Sequence, residues 1–423
     1  MIRNLIRQYL FYQRSQWWSL ERLQAYRDEQ LRRIMRHAAE HVPYYRELFK
    51  NIGLDPLRFR GREDMHRIPL LDKETVRTRQ QELIADNAWN FGIAWESTSG
   101  STGTPLQIIV DRGARANKLA ALLRSYQWAG YRFGKRTFSL QSYYLEDDFK
   151  YKRLFRTLRF DSNHLKKESA LRVLGLLEKF KPQFVMGFPF DLLMLSRFAA
   201  EAGRELSVPD SMITYGETLS SHKKQSLESA YRCRVFDYYS QHECVSMIAE
   251  CERHSLHLVD DFAYHEVVNE QDGGRGELLG TGLYNYAMPL IRYCTRDDIV
   301  LNRTMKFCPC GRPFPIVEEI IGKQCDYIET PDGRLLGAVM SHSMDQARGV
   351  KISQCVQDAR DHICINLVVD DSYNEDSQQA METDLRKRLG HEMTIDIRIV
   401  PQLEKRPGGK TPFILSKIGH HYA

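Results

Sequence analysis

Between residues 114 and 238, short apolar runs alternate with stretches of helical periodicity, and this alternation constrains the fold more than any other feature. The runs are Thr137–Leu140, Phe184–Met186, Met212–Thr214 and Val235–Tyr238. The helical patterns are Ala114–Trp128, Glu168–Phe180, Phe190–Ala202 and Ser221–Ala230. An apolar run too short for a helix reads as a strand buried on both faces. Helices between such runs bring successive strands back in parallel. The pattern predicts an α/β domain with a mostly parallel sheet. Ligands of such sheets sit beyond the carboxyl ends of the strands. There the chain places Tyr215, Gly216 and Glu217, and further on the segment Asp237–Glu243, read DYYSQHE.

The flanks have a different texture. A chain of 423 residues exceeds one ordinary core. Residues 1–60 read as a helical lead-in, with Leu20, Leu23, Leu31, Ile34, Met35 and Ala38 at helical spacing. The first fifty residues hold ten Lys/Arg against five Asp/Glu, together with Tyr9, Phe11, Tyr12, Trp17 and Trp18. Such a helix packs its aromatics on the domain body, or lies weakly on an anionic membrane surface. Gly276–Thr281 and Pro289–Tyr293 read as strands of a small β-rich subdomain. Beyond residue 325, strand patterns at Asp326–Glu329, Lys351–Gln357, His362–Val369 and Thr394–Val400 accompany a polar helix, Glu375–Leu389. That helix ends at Gly390, a good cap. The expected division is a large domain, 1–324, and a small α+β domain, 325–423.

Composition narrows the setting. No apolar run approaches the ~18–20 residues that span a bilayer, and Arg and Gln interrupt the N-terminus too often for a signal peptide. Nine scattered cysteines, an odd number, suit a reducing cytoplasm and free thiols rather than a disulfide framework. A net charge of +5 suits anionic small molecules and does not call for nucleic acid. A monomer and a homodimer are both compatible with it.

Several constellations bear chemistry. Ser97, Thr98, Ser99, Gly100, Ser101, Thr102, Gly103 and Thr104, followed by Pro105, form a hydroxyl-rich loop ahead of the strand-like Leu106–Val110. Small residues let backbone N–H groups converge on phosphate oxygens. The spacing is not that of a P-loop, and a flexible linker is the alternative. Glu243, after a strand, can hold Mg²⁺ against phosphate, or be a solvated surface group. Arg292–Asp298 places cations and carboxylates around one turn, which also fits a salt-bridge cluster. Cys308 and Cys310, with Cys251 and His257 upstream, compose a Cys₃His zinc set in a 244–312 segment. His254 competes with His257, and four unrelated residues are the alternative. Lys410 sits in RPGGKTP near the C-terminus, an exposed loop by composition or a basic tail tip.

Taken in order, the motifs resemble those of the phenylacetate–CoA ligase and CapK-like family within the adenylate-forming, acyl- and aryl-CoA ligase superfamily. The resemblance runs through HVPYYRELFKNIGLDP (41–56), IPLLDKETVR (68–77), STSGSTGTP (97–105) and DYYSQHE (237–243). It continues through PLIRYCTRDDIV (289–300), CPCGR (308–312), IIGKQCDYI (320–328) and RPGGKTPFI (406–414). It implies that the Ser/Thr/Gly loop binds phosphate, that Gly216 and Glu217 border adenine, and that Asp237, Tyr238 and Tyr239 line the nucleotide. It further implies that Glu243 carries Mg²⁺, Asp297 accepts both ribose hydroxyls, Lys323 lies at a hinge, and Lys410 enters the site during adenylation. Ser240 departs from the glycine usual in the family's DxYGxxE. A subset of the family carries a metal site like the Cys/His set.

The expected activity is therefore ATP-dependent adenylation of a carboxylic acid, with pyrophosphate released and the acyl group passed to a thiol, coenzyme A. Mg²⁺ and a structural Zn²⁺ are the implied metals. Transfer to an amine in polysaccharide or secondary-metabolite synthesis, adenylylation of a deazaflavin, and a non-catalytic zinc-stabilised binding module are the alternatives. The acid is not identified; Phe188, Phe190 and Tyr215 are candidate pocket walls.

Overall fold

A computed structural model describes residues 2–97, 106–141, 148–270, 274–305, 307–321, 328–336, 341–344, 347–403 and 413–418. Among them, twelve strands form one sheet. In spatial order these are Ala263–Val268, Arg275–Gly282, Tyr293–Leu301, Ile316–Ile321, Leu256–Leu258, Met247–Glu250, Arg234–Ser240, Ser211–Tyr215, Phe184–Gly187, Thr137–Gln141, Thr157–Asp161 and Phe149–Lys152.

The five strands from Arg234–Ser240 to Thr157–Asp161 are mutually parallel. They contain all four apolar runs of the sequence pattern. The intervening helices are Arg112–Trp128, Lys167–Phe180, Pro189–Glu201 and Ser221–Tyr231. Ser220 caps the last of these, its Oγ accepting from Lys223 N. Leu174, Leu177, Leu192, Leu195 and Leu227 from these helices pack with Phe138, Leu140, Val185 and Met212 of the strands.

The expected β-rich subdomain is continuous with this sheet and forms its antiparallel wing. Pro289–Ile291 is not a strand, which begins only at Tyr293. Arg292 turns the chain with a left-handed φ of 52°. Its buried guanidinium binds Ile68 O at 2.5 Å and Glu266 at 3.0 Å. Those contacts offset the strain of the turn.

The lead-in is three helices, Ile2–Ser15, Leu20–His41 and Pro43–Asn51. The first packs on the body as expected. Tyr12 is fully buried and donates to Asn117 Oδ1 at 3.1 Å. Ser15 Oγ donates to Asp261 Oδ2 at 2.5 Å, and Asp261 also pairs with the fully buried Arg124 at 2.6 Å. A buried pair is tolerated when further hydrogen bonds support it; Ser15 Oγ and Tyr12 O supply two, while Arg124 Nε has no partner among the described residues.

A second, four-stranded sheet runs Thr394–Ile399, His362–Val369, Val350–Ala359, Ile414–Ser416. Its own core includes Ile363, Ile365 and Leu367 beneath Met381, Leu385 and Leu389 of the helix Glu375–Leu389. The strand Ile414–Ser416 was not in the sequence pattern. It lies parallel to Cys355–Gln357 on the edge opposite Thr394–Ile399, with Phe413 buried before it. Arg334 joins the two bodies: its Nη1 donates to Asn163 O of the large sheet's body at 3.1 Å and to Arg388 O at 2.5 Å.

Candidate active site

Gly216 and Glu217 follow the carboxyl end of Ser211–Tyr215. Gly216 has φ 81°, and a Cβ there would come within 2.6 Å of the Phe188 ring. Glycine is required on both counts. The Phe188 and Tyr215 rings meet edge to face at 5.7 Å. Glu217 Oε2 accepts from Phe190 N at 3.2 Å, in the first turn of Pro189–Glu201, where a negative charge is favoured.

The strand Arg234–Ser240 divides its side chains by face. Tyr239 Oη donates to Asp297 Oδ2 at 2.8 Å, and Gln241 Nε2 donates to the same oxygen at 3.3 Å. Burial, and then the Asp297 charge, push the Tyr239 phenol well above its ordinary range, so it remains a donor. Gln241 Oε1 is buried without a partner among the described residues. Tyr238 points the other way, into the core against the Tyr126 ring. Asp237 lies on the same face as Tyr239 and is half-buried. It takes Tyr238 N on Oδ1 at 2.9 Å, and its own N–H donates to Glu250 at 2.7 Å.

Glu243 is buried, and the Tyr293 hydroxyl donates to its Oε1 at 3.3 Å. Next to it, His242 Nδ1 lies 3.4 Å from Glu96 Oε2. Glu96 belongs to Ala94–Ser97, which pairs antiparallel with Gln107–Val110, with Ser97 opposite Gln107. The turn bearing Glu243 is thereby fastened to the hairpin that carries the hydroxyl-rich loop. Thr98, Ser99, Gly100, Ser101, Thr102, Gly103 and Thr104 lie outside the described residues, as do Lys323 and Lys410. Sequence reading missed the clamps, Gln241 and Tyr293. Both stand within the quoted motifs, but only the folded sheet reveals what they touch.

Cys251, His257, Cys308 and Cys310 converge, with their ligand atoms within 4.8 Å of one another. Cys251 Sγ is 3.8 Å from Cys308 Sγ, and Cys310 Sγ is 3.5 Å from His257 Nε2. His257 Nδ1 lies 3.2 Å from Phe314 O. That contact makes Nδ1 the protonated nitrogen and turns the lone pair of Nε2 toward the thiols. Backbone amides of Arg253 and Cys310 donate to Cys251 and Cys308 Sγ, each at 3.4 Å. The Cys251 hydrogen bond, and then His257, hold the Cys310 thiol below its ordinary range. His254 is engaged elsewhere, 2.7 Å from Glu250 and stacked on Phe236. The donor set fits a tetrahedral zinc.

The parallel-centred sheet with its antiparallel wing, together with the small α+β body, is the fold of a solved CoA ligase. The solved structure of 2-hydroxyisobutyryl-CoA ligase in complex with 2-HIB-AMP and CoA superposes with a TM-score of 0.63 at 19% identity, covering 96% of this chain and 92% of that one. In a second complex of that ligase, in the postadenylation state, the TM-score is 0.60 at 20% identity, over 93% and 90% of the two chains. Among curated proteins, this chain is related to Protein CapK of Staphylococcus aureus, 23% identical over 89% of this chain and 85% of that one. It is also related to the phenylacetate–coenzyme A ligases of Thermus thermophilus and Escherichia coli. Each is 26% identical, over 73% and 66% of this chain and 72% and 67% of theirs. Residues 328–417 match the family model of the CapK C-terminal domain.

Proposed function

We propose that this protein activates a carboxylic acid with ATP and transfers the acyl group to coenzyme A. The observation that carries the reading is the paired acidic edge. Asp297 and Glu243 are each steadied by a tyrosine hydroxyl on one oxygen, and for each the other oxygen has no partner among the described residues. A carboxylate held this way can accept both hydroxyls of a ribose, which is the role given to Asp297. Glu243 would hold Mg²⁺, which would offset charge on the phosphates bound by the Ser97–Thr104 sequence.

In the first step a carboxylate oxygen of the substrate attacks the α-phosphorus and pyrophosphate leaves. In the second, the CoA sulfur attacks the acyl carbon, AMP leaves and the thiol proton passes to solvent. No protein nucleophile is needed; the chain positions the reactants and offsets developing charge. Lys410 neutralises charge on the α-phosphate and carboxylate oxygens in the first step only, and movement of the four-stranded body withdraws it for the second. The Cys₃His set holds a structural zinc, since four protein ligands leave no open position. Tyr215, Phe188 and Phe190 form part of the wall against the acid.

The test is pyrophosphate release with ATP and Mg²⁺ over a panel of aryl, fatty and amino acids, with and without CoA. Lys410→Ala should slow release by roughly 10²–10³-fold, yet still make thioester from presynthesised acyl-adenylate and CoA at near the wild-type rate. Equal loss in both half-reactions would defeat the two-position role of Lys410. No acid-dependent release with any acid would end the reading.

A further inference from the structure

Phe149–Lys152, at one end of the large sheet, pairs with Thr157–Asp161 and with no other strand among the described residues. Beyond it the chain makes a short 3₁₀ turn, Arg153–Phe155. Large apolar side chains stand in solvent here: Leu154 is 74% exposed, Phe155 50% and Tyr151 49%. Phe133, 71% exposed, comes from a separate loop and meets the Phe155 ring edge to face at 6.1 Å. Arg156 Nη1 donates to Gly134 O at 3.2 Å and fastens that loop to the turn. The two segments therefore present one surface.

Its charge is predominantly positive, with Lys135 paired to Asp210 at 2.8 Å and Asp148 paired to Arg172. Residues 149–160 contain five Lys/Arg and no Asp/Glu, and residues 131–136 add three more cations and again no acid. Arg132, Lys150, Arg153 and Arg156 are exposed. None of these four has a carboxylate at ion-pair distance among the described residues. Lysines on an edge strand discourage strand-to-strand aggregation. That accounts for Lys150 and Lys152, but not for Leu154 and Phe133, which lie off the strand and weaken that protection. Nucleic acid would engage the cations and leave a leucine exposed at the tip without a partner. Cations around protruding aliphatic and aromatic groups match an anionic bilayer surface, with phosphates at the level of the cations and acyl chains beneath.

We propose that this edge of the sheet docks on an anionic lipid surface. Leu154, Phe133 and Phe155 enter the boundary of the acyl chains, and Arg132, Lys150 and Arg153 engage headgroup phosphates. The contact is distinct from the N-terminal helix, whose Tyr12 is buried in the body. It does not depend on the adenylation reading.

The full-length protein is to be sedimented with vesicles of phosphatidylcholine alone, and of phosphatidylcholine with one-third phosphatidylglycerol, at low and high salt. Binding is expected to the anionic vesicles only, and to weaken with salt. Leu154→Asp with Phe155→Asp, and separately Lys150→Glu with Arg153→Glu, should each lower partitioning by about tenfold or more. These side chains are exposed, so the melting temperature should stay unchanged. Absence of binding to anionic vesicles, equal binding to neutral ones, or full binding by both variants would overturn the proposal. Full binding by both variants would place the contact on the N-terminal helix instead. Self-association lost in the Asp variant, without vesicle binding, would make a second copy the occupant and equally overturn it.

Discussion

The Cys/His knuckle and the Glu243–Asp297 edge stand on the same antiparallel wing, and both gather ligand-type side chains, yet they orient their polar atoms in opposite ways. In the knuckle each thiol meets another ligand atom or a backbone amide, and His257 has its second nitrogen on a carbonyl. At the edge, each carboxylate is held by one oxygen only among the described residues. A cluster closed on itself serves the fold. One left half-satisfied, with its geometry fixed from behind, serves a ligand.

The largest expected effect falls on the closed region. Cys308→Ser should remove the zinc that purified protein is expected to carry, one per chain. It should also lower the melting temperature by about 10 °C or more, because metal binding in such sites is part of the folding free energy. Zinc-free wild-type protein by elemental analysis would dissolve the comparison on this side.

A smaller and differently directed effect belongs to the open region. Tyr239→Phe keeps the ring and removes the hydroxyl that steadies Asp297. A hydrogen bond to a charged group contributes about 1.5–3 kcal/mol, so the KM for ATP should rise roughly tenfold or more. The melting temperature should move far less than in the knuckle variant. An unchanged KM would mean that Tyr239 does not position Asp297 for the nucleotide, and the edge would lose its claim to be a site.

The smallest effect lies between the two regions. Burial, and then the charge of Glu250, push the Asp237 carboxyl up to about 7 from an ordinary 3.8. The folded state therefore binds this proton more tightly than the unfolded chain does. Native stability is greatest while the group is protonated and declines as pH rises from about 4 through 7. Asp237→Asn mimics the protonated form. Its melting temperature should fall less than wild type between about pH 5 and pH 8. Parallel curves for the two proteins would show that Asp237 does not carry the effect.

The parallel half of the sheet was legible because its signals are local. Alternating apolar runs and 3.6-residue patterns placed four of its five strands, and its helices, to within a few residues; Thr157–Asp161 escaped the pattern. Ile414–Ser416 was not, since three residues after a stretch of Gly and Pro show no period. Period two also places Tyr238 on the face opposite Tyr239, so its burial against Tyr126 could have been read from the strand itself. The carboxylates of the edge came from family motifs. Tyr239 came with them, but the clamps Gln241 and Tyr293 did not, because Tyr293 and Glu243 are fifty residues apart and meet only when the wing folds. The same holds for Arg124 and Asp261, separated by 137 positions.

Ile414–Ser416 and Thr394–Ile399 are opposite edges of the same small sheet, so the chain enters and leaves the residues between them from one body. Lys410 stands three residues before the buried Phe413. A chain advances at most about 3.6 Å per residue, so the lysine's Cα cannot lie beyond about 11 Å from that anchor, whatever path the loop takes. The local concentration of its ammonium group at any point is then set by where the small sheet stands. Any displacement of the small sheet beyond that distance therefore carries Lys410 with it.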